Sequence, residues 1–116
     1  MSFTEETKVV RVNNAEILIK ILQLSNAIII LITEHPTALG TICLATPSIN
    51  IEGIRRGEAL SLFGGRLDFF TRVIAERLSA ETGKMTLVSV ALNEKYQDDQ
   101  DTLLRIINVI VENETT

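Results

Sequence analysis

The sequence has few of the residues that usually carry catalytic or metal-binding chemistry. Its 116 residues include one cysteine, one histidine, one tyrosine and no tryptophan. A single cysteine allows no disulfide within the chain, which favours a reducing compartment. One cysteine and one histidine are also too few for a zinc site, so we expect no bound metal.

The sequence also lacks long apolar runs and an excess of basic charge. The longest apolar run, residues 27–32, has six residues, too few to span a membrane, and the N-terminus has no basic-then-apolar pattern typical of a signal peptide. The formal net charge is −4, and residues 94–116 hold six acidic residues against Lys95 and Arg105. Because nucleic-acid binding normally needs a basic face, we expect no nucleic-acid partner. Because the apolar runs are short, we expect no membrane partner either.

Aliphatic residues are abundant. Isoleucine, leucine and valine account for 37 residues, and the mean hydropathy of +0.24 is too high for a disordered chain. Together with the length, this predicts one soluble, intracellular domain spanning residues 1–116.

The spacing of apolar residues predicts an α+β domain. Alternating or β-branched stretches predict strands at residues 8–12, 15–24, 27–33, 41–46, near 58–63, and at 85–92. Helical spacing predicts one helix from Leu67 to a stop at Thr82-Gly83, and a second one capped by Asp98 and continuing through Val111. We therefore expect an antiparallel β-meander sheet of about six strands with two α-helices, in the order β-β-β-β-β-α-β-α.

The predicted hairpin at residues 15–33 has apolar residues on both faces. A two-residue turn at Ser25-Asn26 would pair Leu22 with Ile29, and paired residues share a face. One face is then uniformly isoleucine and is assigned to the core under the helices. The other face is mixed, and we predict it to be a partner interface containing Leu18, Lys20, Leu22, Leu24, Ile29 and Leu31.

We predict this interface because the two helices would leave the second face of the hairpin uncovered. If both helices pack on the isoleucine face, the leucines opposite form a larger exposed patch than monomers usually tolerate, so another subunit should cover it. The alternative is a closed monomer in which one helix packs on each face.

No residue pattern predicts catalysis. His35 precedes Pro36 in a turn and has no partner nucleophile in a known motif, so we interpret it as a solvated turn histidine. Cys43 lies within a predicted strand, where burial would make its thiol inert. An enzyme is therefore not expected.

Two further patterns have a structural and a functional interpretation. Gly64, Gly65 and Arg66 precede the first helix, where backbone N–H groups can hold an anion, but a tight strand-to-helix turn explains them better. The acidic residues at 98–101 lack the glycine and the later glutamate of a calcium loop, and helix capping explains them better.

In element order and turn positions the chain resembles the small proteasome-assembly chaperones of the third- and fourth-member type, which pair with each other. Of these two types, it is more similar to the third-member type. The matching stretches are AIIILIT, the L-G-T turn into ICLATPS, LSLFGG before the helix, and AERLSAETGKMTLVSVAL before the final helix.

The resemblance implies a non-enzymatic chaperone without a cofactor. It would form a dimer with itself or with a paralogue, bind a proteasome α-type subunit, and promote assembly of the 20S α-ring in the cytoplasm or nucleus of a eukaryote. A general α+β protein–protein interaction module is the alternative, because many such domains share these elements.

Overall fold

A computed structural model describes residues 4–12, 15–49, 55–63 and 67–114. The strands are β1 (Thr4–Val12), β2 (Ala15–Gln23), β3 (Ala27–Thr33), β4 (Thr41–Ile49), β5 (Arg55–Phe63) and β6 (Met85–Ala91). The helices are α1 (Asp68–Thr82) and α2 (Gln100–Glu114), with a 3₁₀ helix at Glu94–Asp98 between β6 and α2. The predicted α+β class and element order are confirmed. Residues 64–66, interpreted above as a tight strand-to-helix turn with an anion site as the weaker alternative, lie outside the described residues.

The sheet is mixed, which corrects the expectation of a purely antiparallel meander. Its strand order is β1-β2-β3-β6-β4-β5, and β3 pairs with β6 in parallel while the other neighbours are antiparallel. The strand at 41–46 was expected beside β3, but β6 lies between them. β3 and β6 are the two central strands, and apolar residues on both faces of β3 suit that position. A parallel pair needs a long crossover, which the chain from Thr33 to Met85 provides.

Three strands are longer than predicted. β1 begins at Thr4, β5 begins at Arg55, and β4 continues through Pro47 to Ile49. Pro47 is tolerated because β4 pairs with β6 only from Thr41 to Ala45. Beyond Ala45 one side of β4 has no neighbouring strand among the described residues, and proline is tolerated at such an edge position.

The core lies on one face of the sheet. The β2–β3 register pairs Leu22 with Ile29, as the two-residue turn predicted. The six isoleucines of the opposite face are each no more than 1% exposed: Ile17, Ile19, Ile21, Ile28, Ile30 and Ile32. They share one buried cluster with residues of both helices, namely Ile74 and Leu78 of α1 and Ile106 and Ile110 of α2. Both helices therefore pack on the isoleucine face, and the alternative with one helix on each face is wrong.

The helix ends agree with the sequence at α1 and shift by one residue at α2. Gly83 has φ 71°, and its N–H donates to the carbonyl of Ser79 at 2.9 Å, so it ends α1 as predicted. Asp99, not Asp98, caps α2, because its carboxylate accepts hydrogen bonds from the N–H and the hydroxyl of Thr102 at 3.2 and 2.7 Å. Asp98 belongs instead to the 3₁₀ helix that precedes the cap.

Candidate functional site

The sheet face opposite the helices, which we call the open face, has a continuous band of aliphatic side chains. Strand register places five of them side by side across five strands: Leu22, Ile29, Leu87, Leu44 and Leu60. We call this set the aliphatic row. Since neighbouring strands lie about 4.8 Å apart, the row is about 19 Å long.

No described helix covers the aliphatic row. None of its members belongs to the buried core cluster or to the apolar residues packed against that cluster. Leu60 is 64% exposed, and the other four are half-buried, shielded by their neighbours in the sheet. Val9 on β1 and Leu62 on β5 are also exposed apolar residues near the two ends of the sheet. Such a contiguous apolar surface is typical of a protein-binding site.

One end of the open face is covered by the chain itself. The loop 34–40 folds over the carboxyl ends of β3 and β6, where the N–H of Ala38 donates to Thr33 Oγ1 and that of Gly40 donates to Ser89 Oγ, both at 3.1 Å. Thr33 and Ser89 are consequently buried although they lie on the open face. Between this loop and β2 lies a cavity of about 500 Å³. Its lining residues are Thr7, Leu18, Lys20, Leu31, Thr33, Thr37, Ala38 and Leu39.

Charged side chains flank the aliphatic row at the β1 edge of the sheet. Lys20 Nζ lies 2.6 Å from Glu5 Oε1, and Arg11 Nε lies 3.5 Å from Glu16 Oε1. Exposed ion pairs of this kind contribute about 0–1 kcal/mol to stability. Charges along β1 also discourage edge-to-edge pairing with another sheet.

The six residues predicted as a partner interface all lie on or beside the open face. Leu22 and Ile29 belong to the aliphatic row, while Leu18, Lys20 and Leu31 line the cavity under the loop. Leu24 lies in the hairpin turn, where its N–H donates to the carbonyl of Ala27 at 2.8 Å. Their role in binding stays a prediction.

Sequence reasoning missed Leu87, Leu44 and Leu60. Each belongs to a strand with alternating apolar residues, and that alternation was visible. Their alignment with Leu22 and Ile29 depends on β6 entering between β3 and β4. No local pattern in the sequence indicates that insertion.

Cys43 is the buried thiol of the chain and faces the helices. Its Sγ lies 3.5 Å from Ser61 Oγ and 4.0 Å from Asp68 Oδ1, and the Ser61 hydroxyl also donates to Asp68. Burial is the main cause of a raised pKa for the Cys43 thiol. The thiol therefore stays protonated at neutral pH and is a poor nucleophile.

Other candidate chemistry is equally sparse. His35 is exposed in the loop after β3, in agreement with its interpretation as a turn histidine. Within residues 4–12, 15–49, 55–63 and 67–114, no group of three or more histidine, cysteine or acidic side chains is arranged to hold a metal ion.

In that same part of the chain, neither helix has the length and apolar character that crossing a membrane would require.

Comparison with solved structures identifies a shared fold. A chain from the crystal structure of a chaperone complex for yeast 20S proteasome assembly superposes with a TM-score of 0.73, at 11% sequence identity, over 100% of both chains. At this identity the likeness shows the fold alone. No protein-family model and no curated protein matches the chain.

Proposed function

We propose that this chain is a non-enzymatic chaperone that forms a dimer and binds a proteasome α-type subunit to promote assembly of the 20S α-ring. The observation that carries the proposal is the uncovered aliphatic row on a chain whose fold is also found in a proteasome-assembly chaperone complex. The sequence resemblance to the third- and fourth-member chaperones supports the same function independently of the coordinates.

The open face has dimensions suited to a dimer interface. The five spacings of about 4.8 Å between six strands and a strand length of about 23 Å give a face of roughly 550 Å² in plan, one end of which the loop 34–40 covers. This is of the same order as the ~800 Å² that each partner buries in a standard interface. A second sheet, from another copy or from a paralogue, would pack on it at about 10 Å and remove the aliphatic row from water.

A chaperone of this kind needs surface complementarity and no reactive group. In this proposal the Cys43 thiol, whose pKa is raised by burial, has a structural role. We place the dimer in the cytoplasm or the nucleus, because the resemblance implies a eukaryotic assembly factor for proteasomes.

Capture from a eukaryotic lysate tests the proposal. The tagged full-length chain is expected to retain proteasome α-type subunits, identified by mass spectrometry and then reproduced with the purified subunit. Repeated captures without α-type subunits would refute the function, and reproducible capture of unrelated proteins alone would favour a general interaction module. The Ile29→Asp variant is captured in parallel with the native chain, because this substitution is expected to abolish dimer formation.

A further inference from the structure

A second apolar surface lies on the helical side of the molecule. The start of α1, the 3₁₀ helix and α2 enclose a groove of about 620 Å³. Its aliphatic side chains include the half-buried Val73, Leu103 and Ile107. Phe69, 80% exposed, and Leu104, 56% exposed, are the most accessible apolar side chains that line it. Large side chains this exposed at a concave site are typical of groove anchors for a partner helix.

The residues around this groove include more acidic than basic side chains. Residues 94–107, which form the 3₁₀ helix and the part of α2 that lines the groove, hold four acidic residues against Lys95 and Arg105. Asp98 and Asp101 are exposed and directly follow Gln97 and Gln100, two polar residues that line the groove. On the α1 side the charges are mixed, because Asp68 lies 4.0 Å from Arg72. The acidic excess favours a basic partner and disfavours nucleic acid or an anionic membrane surface.

The groove stays accessible if the open face is covered. It is built from helices that pack on the isoleucine face, so it lies on the other side of the sheet from the aliphatic row. A dimer formed through the open face would therefore present this groove to solvent on its outer side.

We propose that this groove, between the start of α1 and α2, is the docking site for an amphipathic basic helix of the protein that the chaperone assembles. The inference rests on the proposed function and adds which surface of the chain binds the client, the protein that the chaperone assembles. Apolar residues of the client helix would pack against Phe69, Leu104 and the groove floor, while its lysines and arginines would face Asp98 and Asp101.

A synthetic peptide tests the chemistry of the groove directly. The probe is a helical peptide of leucine and lysine with the leucines on one face, and its control has glutamate in place of each lysine. Fluorescence anisotropy with the full chain is expected to show binding of the lysine peptide. Raising the salt from about 0.05 M to about 0.5 M should weaken that binding severalfold. Equal binding of the glutamate peptide would overturn the charge argument.

Single substitutions locate the site. Phe69→Ser and Leu104→Ser are each expected to raise the Kd of the lysine peptide about tenfold, because both remove an exposed anchor without touching the core. Leu39→Ser is the matched control, since Leu39 is 69% exposed on the loop at the open face, away from the groove. Unchanged peptide affinity in both groove variants, or an equal loss with Leu39→Ser, would refute the docking site. Circular dichroism and a melting curve for each variant verify the fold.

The same variants separate this inference from the proposed function. If the native chain captures a purified proteasome α-type subunit, the groove variants should lose capture while remaining dimeric in sedimentation. Capture that persists in both variants would refute the groove and leave the proposed function intact. If the native chain captures no such subunit but binds the lysine peptide at Phe69 and Leu104, the proposed function fails while the basic-helix site stands.

Discussion

At the scale of single residues, Cys43 illustrates how burial determines reactivity. Its side chain is fully buried, and burial raises the pKa of the thiol, with the nearby Asp68 carboxylate acting in the same direction. Only the thiolate is a strong nucleophile, so the folded chain holds this group in its unreactive form.

We therefore expect Cys43 to react with a thiol reagent such as dithiobis-nitrobenzoate only when the chain unfolds. At neutral pH the folded protein should show slow release of the coloured product, and the protein in urea should show rapid, stoichiometric release. The measurement is the rate of absorbance change under both conditions. Rapid reaction of the folded chain, with its far-UV circular dichroism unchanged, would contradict the buried placement.

Asp99 is the residue whose charge the structure ties most clearly to stability. The pKa of its carboxyl is lowered below the ordinary value of 3.8, first by the hydrogen bond from the Thr102 hydroxyl and then by that from the Thr102 N–H. Because the folded state holds the proton less tightly than the unfolded state, the stabilisation is present above the ordinary pKa. It is lost as the pH falls through the lower folded value.

Asp99→Ala should consequently lower the melting temperature by several degrees at neutral pH, with a difference from the native chain that shrinks as the pH falls well below the ordinary carboxyl pKa of 3.8. Asp99→Asn keeps a capping oxygen without the charge and should show a weaker pH dependence than the native chain. Asp98→Ala removes the neighbouring carboxylate in the 3₁₀ helix and should change little. Thermal denaturation of the four chains across acidic pH measures the effect, and equal losses at positions 98 and 99 would argue against the cap.

At the scale of elements, the β2–β3 hairpin and the β3–β6 pair differ in what determines them. The hairpin register follows from local features, namely a two-residue turn and the alternation of residues 15–24, and it was predictable. The β3–β6 pairing depends on where the chain returns after β4, β5 and α1. That position depends on how β4, β5 and α1 pack before the chain returns to β3, so the sequence near β3 does not reveal it.

The candidate site was therefore predictable only in part. The hairpin residues Leu22 and Ile29 could be placed on one face from the sequence, whereas Leu87, Leu44 and Leu60 could not. The groove on the helical side was also not predicted, because it requires the relative placement of two helices that are separated by β6 and the 3₁₀ helix. Phe69 was a visible signal, since it adds a large apolar residue outside the helical stripe of α1.

The loop 34–40 depends on one glycine. A Cβ at Gly40 would lie 2.1 Å from the carbonyl oxygen of Val90 and 2.8 Å from the Cα of Ala91, both backbone atoms of β6. Gly40 thus allows the loop to cross β6 closely enough for its N–H to reach Ser89.

Gly40→Ala is expected to lower the free energy of unfolding by about 1–3 kcal/mol, because the loop or β6 must move to relieve the overlap. Thr37→Ala, at an exposed position of the same loop, is the matched control and should have little effect. Urea denaturation followed by circular dichroism gives both values. A Gly40→Ala chain as stable as the native one would mean that the loop does not cross β6 in solution.

At the scale of the whole molecule, the two faces of the sheet differ in function: one stabilises the fold, and the other is the candidate binding surface. The isoleucine face holds the fold together by burying aliphatic side chains under α1 and α2. The open face repeats much of that aliphatic character, and apart from the loop 34–40 at one end no described element of the chain covers it. In a chain that needs only to fold, leucines and isoleucines on this face would add aggregation risk without adding core.

Adjacent isoleucines on β3 allow the two functions to be tested separately. Ile29 lies in the aliphatic row and Ile30, 0% exposed, lies in the core, so the same substitution at the two positions probes opposite faces of one strand. Ile30→Asp buries an unpaired carboxylate and should prevent folding. Ile29→Asp, and likewise Leu22→Asp, places a charge where a second sheet would pack, and should leave a folded chain that no longer self-associates.

Sedimentation at micromolar concentration measures the outcome against the 12.9 kDa of the monomer. The native chain should sediment at twice that mass and the Ile29→Asp chain at the monomer mass, with unchanged far-UV circular dichroism. A native chain that is monomeric alone should become dimeric with its paralogue, and Ile29→Asp should abolish that pairing too. A dimer that withstands both Ile29→Asp and Leu22→Asp would show that the chains associate elsewhere.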